Sequence, residues 1–313
     1  MKNFRIISVL SVIAAIFAAV AAAAGIFYTS GGESYFYESI RGQQIEIYGR
    51  GLYQHMSSEV AVQGIAHDYV ILFIAVPVLL ISTFYLKKPG LKKILFHAGL
   101  VKFFFITYLF YINMGMYNGL FIVYVILTST SFFALALTLL NINPDTLKAG
   151  FEPGLLRKFI GGFLIFLSSA IALLWLQIIV APLIDGSIIP ASVEHYTSLT
   201  VQGLDLSILL PLSFVGGYLF IKDRKWGYLI SAVTLVFLCF LMSALVAKII
   251  AMALIGVNVI PVVFIMPTAL ILAVICSIIF FKKIKPEAQK YTFYSSSSIQ
   301  TGAWSLDFSQ PRT

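Results

Sequence analysis

His55-Met56-Ser57-Ser58 followed by Val62-Gln63-Gly64-Ile65-Ala66-His67-Asp68, and His195-Tyr196-Thr197-Ser198 followed by Val201-Gln202-Gly203-Leu204-Asp205, are two copies of one pattern. Each copy runs at once into a long stretch of Ile, Leu, Val and Phe. The polar residues of each therefore stand where the polypeptide passes from water into an apolar span. The two copies mark two equivalent points in a chain built in two parts.

Working outward, the composition fixes the class. Hydrophobic residues make up 60% of the 313, charged residues only 11%, and mean hydropathy is +0.96. Soluble domains carry about a quarter charged residues, so this is the composition of a polytopic membrane protein. A helix needs roughly 20 apolar residues to cross about 30 Å of hydrocarbon. Eight stretches qualify: 5–28, 69–86, 94–114, 120–140, 159–184, 206–221, 226–250 and 259–281.

Lys and Arg in short loops mark the cytoplasmic side. With the first span running inside to out, 17 of the 21 basic residues fall in inner segments, among them Lys87, Lys88, Lys92, Lys93, Lys222, Arg224 and Lys225. Eight of the 13 acidic residues fall on the outer side. The expectation is an all-α bundle of eight transmembrane helices in the cytoplasmic membrane with both termini cytoplasmic. The net charge of +8 is a topology signal; the basic residues are scattered over five inner segments, which suits anionic lipid head groups and not nucleic acid.

The expected organisation is a first span over 1–28, an outer loop or cap over 29–67, three spans over 68–140, an inner linker over 141–158, four spans over 159–283 and a disordered cytoplasmic tail over 284–313. The first span also has the small residues Ala21 to Gly25 where a signal peptide would be cut. In the cap, Gln44-Ile45-Glu46-Ile47-Tyr48 alternates like a short strand, and Tyr35, Phe36, Tyr37 and Tyr53 suit either an interfacial anchor or a lid over a cavity. Asn143-Pro144-Asp145 and Glu152-Pro153-Gly154 punctuate the linker. Four spans on either side of it would make a 4+4 parallel repeat; chance likeness between apolar sequences is the alternative. In the tail, Trp304 and Phe308 could form a docking motif.

Ionisable residues within a membrane are costly, and each is a candidate by default. Lys102 lies deep in the third span with no Asp or Glu at its depth. It reads as an anion site with Tyr108 or Tyr111 lining the same cavity, or as a lysine stretching back to the inner face. Asp68 and Asp205 are expected at the outer ends of the second and sixth spans, with Lys248 near the outer end of the seventh. They form an outer ion pair or, with His67, Gln63 and Gln202, a proton- or cation-coupling site. A metal could be held only by assembling His55, His67, His195 and Asp68. The four histidines include no HExxH, and GxSxG, P-loop and dinucleotide patterns are missing, so neither catalytic residues nor a cofactor are expected. Cys239 and Cys276 read as buried apolar residues, and Gly161-Gly162 and Gly216-Gly217 as close helix contacts.

Ile47-Tyr48-Gly49-Arg50-Gly51-Leu52-Tyr53 and Tyr117-Asn118-Gly119-Leu120-Phe121-Ile122-Val123-Tyr124 resemble segments of uncharacterised multi-pass membrane proteins of bacteria. The resemblance implies a membrane bundle and brings no site residues with it. The leading functional expectation is a small-solute or ion transporter with an outward-facing site between the halves. A non-catalytic subunit packed against other membrane subunits or further copies of itself, and a membrane enzyme acting on lipid or quinone, are the other two.

Overall fold

A computed structural model describes residues 3–285 apart from Pro89, Met114, Pro153 and Leu155. Of the tail expected over 284–313, Ile284 is buried and bridges to Phe151, and the Lys285 N–H donates to the Gly150 carbonyl at 2.8 Å, so these two are ordered; the rest, with Ser295 to Ser298, Trp304 and Phe308, lies outside the described residues. Among the described residues, eight helical spans are long and apolar enough to cross a membrane. They are α1 (Phe4–Phe27), α2 to α3 (Ser58–Tyr85), α4 (Leu91–Asn113), α5 (Phe121–Leu140), α7 (Arg157–Asp185), α8 to α9 (Thr200–Ile221), α10 (Lys225–Leu254) and α11 (Val262–Lys282). A short α6 (Pro144–Ala149) lies in the linker, started by Asn143, whose side chain accepts the Asp145 N–H.

The second and sixth spans begin well before the apolar runs. The second starts at Ser58, not 69, and the sixth at Thr200, not 206. The loop after the first span therefore ends near Ser57 and not at 67. Gln63, Gly64, His67 and Asp68 dilute the hydropathy but do not stop the helix, because this face turns into the bundle, where His67 and Asp68 are buried.

Both of these spans change pitch. α2 (Ser58–Val70) passes through a π-helical turn, Ile71–Ala75, into α3 (Val76–Tyr85); α8 (Thr200–Leu204) passes through Asp205–Leu209 into α9 (Leu210–Ile221). Pro77 and Pro211 each follow two residues behind the wide turn. A proline lacks an N–H and crowds the carbonyl four residues back, so the turn before it opens. Measured from these turns, Asp68 and Asp205 are not equivalent: Asp68 stands three residues ahead of one turn, and Asp205 is the first residue of the other.

The first four spans pack as one group, α1 against α3 and α5, and α4 against α5; the last four form a second, α7 against α9, and α10 against α9 and α11. α10 joins the groups by packing on both α4 and α2. The run of small residues in α1 supplies a packing face, with Ala14, Ala15, Ala18, Ala21, Ala22 and Gly25 buried. Between α7 and α9, a Cβ on Gly161 would lie 2.6 Å from the Gly217 carbonyl, so this pair lets two backbones touch. Gly162 of the same pair of glycines faces open space. His97, fully buried, ties three spans together through Ser11 and Ser82, each at 3.1 Å.

At one end of the bundle an antiparallel hairpin, β1 (Tyr35–Glu38) with β2 (Gln44–Ile47), pairs Tyr35 with Ile47 and Glu38 with Gln44. Its turn residue Arg41 donates to the carbonyls of Glu194 (2.9 Å) and Tyr196 (3.2 Å) in the loop after α7. His195 reaches the His55 carbonyl at 2.9 Å, and the Tyr196 hydroxyl accepts the Ser57 N–H at 3.1 Å. The two sequence copies therefore meet in space. The opposite end is basic: Asp223 binds Lys148 (3.0 Å) and Arg157 (2.6 Å), and Asp145 binds Lys225 (2.8 Å).

Candidate functional site

Between the two groups of four spans lies a cavity of about 420 Å³. It runs from the hairpin end, where Met56, Glu194 and Tyr196 line it, to Lys102 and Thr234 deep in the bundle. Walls from α2, α4, α7, the sixth span and α10 are largely apolar, with Ile106, Phe110, Leu167, Ile171, Leu241 and Leu245. The polar groups are few, and several have no partner.

One polar level sits roughly a third of the way in. His67 lies about 13 Å along the helix from Ser58, and Asp68 about 15 Å. Neither is at the end of its span, where the sequence suggested they would be. His67 Nε2 pairs with Thr107 Oγ1 at 3.4 Å, its ring stacks on Phe103 at 5.7 Å, and Nδ1 has no partner. Asp205 accepts the Trp175 indole N–H at 2.9 Å. Lys248, on the facing wall, lines the cavity together with Asp205. Among the described residues, no carboxylate lies within 4.0 Å of its Nζ. The ion pair expected between Lys248 and a carboxylate is therefore not formed. Gln63 and Gln202 both line the cavity.

Asp68 is 2% exposed and stands behind this wall rather than in it. Its Oδ2 accepts the Tyr53 hydroxyl at 2.6 Å and its Oδ1 that of Tyr111 at 3.4 Å. On its other side is Gly25 of α1, where any Cβ would collide with the carboxylate. Burial, and then the neighbouring Asp68 charge, raises the pKa of Tyr53 well above that of an ordinary tyrosine. Tyr53 therefore remains a donor. The two tyrosines separate Asp68 from the cavity while lining it themselves.

Lys102 is 6% exposed. Its ammonium donates to Thr234 Oγ1 at 3.3 Å and lies 4.7 Å from the centre of the Phe237 ring. Lys102 is midway along α4 and Thr234 about 13 Å along α10 from its first residue. The side chain is thus held at mid-depth against the cavity instead of stretching to the basic end. Tyr108 does not line the cavity: it is 1% exposed, packs beside Tyr111 and Tyr124, and its hydroxyl has no partner. Tyr111 and Tyr124 take the lining position instead.

His55 and His195 meet at the hairpin end, away from His67 and Asp68, and no three metal-ligating side chains converge among the described residues. Cys276 is buried and Cys239 half-buried, in contact with Ser277 at 3.3 Å. The sequence reading missed Tyr53, Trp175, Thr107 and Thr234 as partners. Trp175 and Thr234 carried a weak signal: each is one of a few hydrogen-bonding side chains inside a largely apolar run. No family profile, curated protein or solved structure matches the chain.

Proposed function

We propose that this membrane protein is a small-solute or ion transporter whose site is the cavity between two four-helix halves. The observation that supports this best is the joint lining of that cavity by polar groups from both halves, each with at most one hydrogen-bonding partner among the described residues: Gln63, His67 and Lys102 from one, Gln202, Asp205 and Lys248 from the other. A static scaffold gains nothing from cations and amides left without partners in an apolar bundle. A site that takes up a polar solute does. The basic end faces the cytoplasm, as the loop lysines favour, and the hairpin end faces out.

The halves act as parallel repeats that rock about an axis along the membrane normal. The bulge-and-proline feature in the second span of each half supports this kinship, and it uses a different register from that of the polar motif. The wide turns supply places where those spans can bend.

Cysteine accessibility tests the reading. In a Cys239→Ala, Cys276→Ala background, Gln63→Cys and Ser213→Cys are labelled in right-side-out and inverted vesicles with a membrane-impermeant thiol reagent. A transporter gives labelling of Gln63→Cys from the outer side and of the deeper Ser213→Cys from both. No labelling of either position from either side would overturn it, because the cavity would then be sealed from water.

A further inference from the structure

The charges in the cavity are unevenly distributed with depth. Near the outer third, Lys248 and Asp205 both line the cavity, one cation and one carboxylate, so that level is close to balance. About 20 Å further along α10, by its rise of 1.5 Å per residue, Thr234 holds Lys102. No acidic side chain stands within 4.0 Å of that ammonium among the described residues. The other carboxylate that lines the cavity, Glu194, belongs to its mouth.

An ammonium carries three donors. Thr234 accepts one and the Phe237 ring faces another, which leaves at least one directed at open cavity. Thr234 accepts from Lys102 and donates to no partner among the described residues, so its own hydroxyl proton is also available. Ser213, 7% exposed and likewise without a partner, lines the same cavity. A cation with two free hydroxyls in its cavity is an anion receptor. Among the described residues, Lys102 is the cavity cation with no lining carboxylate at its level, and the walls around it are Leu, Ile and Phe.

Building on the transporter reading, we propose that the solute is a small organic anion with a single negative charge and an apolar body. Its charged group sits against Lys102 and Thr234, and its apolar body lies along Leu167, Ile171 and Leu241 toward the mouth. The monocarboxylates are the simplest members of this class.

The test uses the full-length protein in lipid nanodiscs and calorimetry with straight-chain carboxylates from acetate to octanoate, each paired with its neutral amide. The expected result is that at least one carboxylate binds about tenfold or more tightly than its amide, with affinity rising along the chain series before the cavity is filled. Lys102→Met removes the preference and Lys102→Arg keeps it. Lys102→Met is expected to fold at least as well as the parent, since an apolar replacement of an unpaired buried charge is tolerated; its thermal midpoint is the control. Carboxylates binding no better than amides across the series, or a preference that survives Lys102→Met, would overturn the proposal. Exchange of labelled carboxylate in proteoliposomes separates the two readings. Binding without exchange retires transport and keeps the anion site, whereas flux of a neutral amide with no preference for its acid does the reverse.

Discussion

The two ends of the molecule treat charge in opposite ways. At the basic end, where water would solvate charges cheaply, Asp223 is gripped by Lys148, Arg157 and the Tyr228 hydroxyl, and Asp145 by Lys225. In the cavity wall and just behind it, where an unpaired charge is costly, Asp205 has only an indole N–H, Asp68 two tyrosine hydroxyls, and Lys248 no close carboxylate among the described residues. Exposed pairs of the first kind contribute little to stability; they set how the linker and loops lie. The buried groups are held by neutral donors, which orient them without cancelling their charge. That leaves them able to respond to something that enters.

The comparison breaks most severely at Asp68. Asp68→Ala removes the carboxylate that accepts from Tyr53 and Tyr111, leaving their hydroxyls only each other at 3.2 Å, and is expected to cost roughly 2–4 kcal/mol, seen as a lower midpoint in denaturing-detergent titrations. Asp68→Asn keeps an acceptor for Tyr53 and should lose clearly less. If the two variants are equally unstable, the charge and not the hydrogen bond holds the site together. Gly25→Ala pushes a methyl group into the carboxylate and should reproduce part of the Asp68→Ala loss.

A middle-sized effect is expected at the cap. Arg41→Ala removes two charge-assisted hydrogen bonds to the opposite half, worth about 1–2 kcal/mol. Protease added to right-side-out vesicles should then cut the 29–57 loop several-fold faster, with little change in the midpoint of the bundle. An unchanged cutting rate would mean that His195 and Tyr196 hold the cap without Arg41.

The smallest effect belongs to the basic end. Burial alone would raise the Asp223 carboxyl, but hydrogen bonds from Tyr228 and Lys148 and the charges of Arg157 and Lys148 outweigh it and hold its pKa below the usual carboxylate value. A depressed folded-state pKa stabilises above the unfolded value, near 3.9, and that stability is lost as pH falls through the folded value. Asp223→Asn keeps a residue that tolerates the positive φ of 57° at this position. It should lower stability by no more than about 1 kcal/mol at neutral pH, and the gap to the parent should close as pH drops through the carboxylate range. A constant gap at every pH would assign the effect to the loop backbone.

Eight helices were legible because apolar runs of membrane length have few other uses. The starts of the second and sixth spans were not, since Gln63, His67, Asp68 and Asp205 look like loop residues until their partners are known. Lys102 and Lys248 stood out as charges in apolar sequence, and both line the cavity. The role of Tyr53 was hidden for a different reason. It is one of many aromatic residues in a cap, and only the fold brings its hydroxyl to a carboxylate on α2. Tyr108 shows the converse: its spacing from Lys102 is compatible with a shared cavity, yet the helix turns it toward Tyr111 and Tyr124 instead. The motif pairing Asp68 with Asp205 failed for a physical reason, because polar side chains can shift along a helix relative to the backbone bulge that fixes each span's bend.

The strap from Arg41 to Glu194 joins residues 153 apart in the chain. At a synthesis rate of 5–20 residues per second, its acceptor leaves the ribosome roughly 8–30 s after the arginine. Once residue 140 has emerged, the first four helices sit in the bilayer with one wall of the cavity facing lipid and no α8 to α11 to cover Gln63, His67 or Lys102. The hairpin waits outside with nothing to hold. Biogenesis therefore passes through a half-built membrane protein whose most polar face is its most exposed. Glu194 precedes α8 to α11 in the chain, so the strap can close the cap before the rest of the second half arrives.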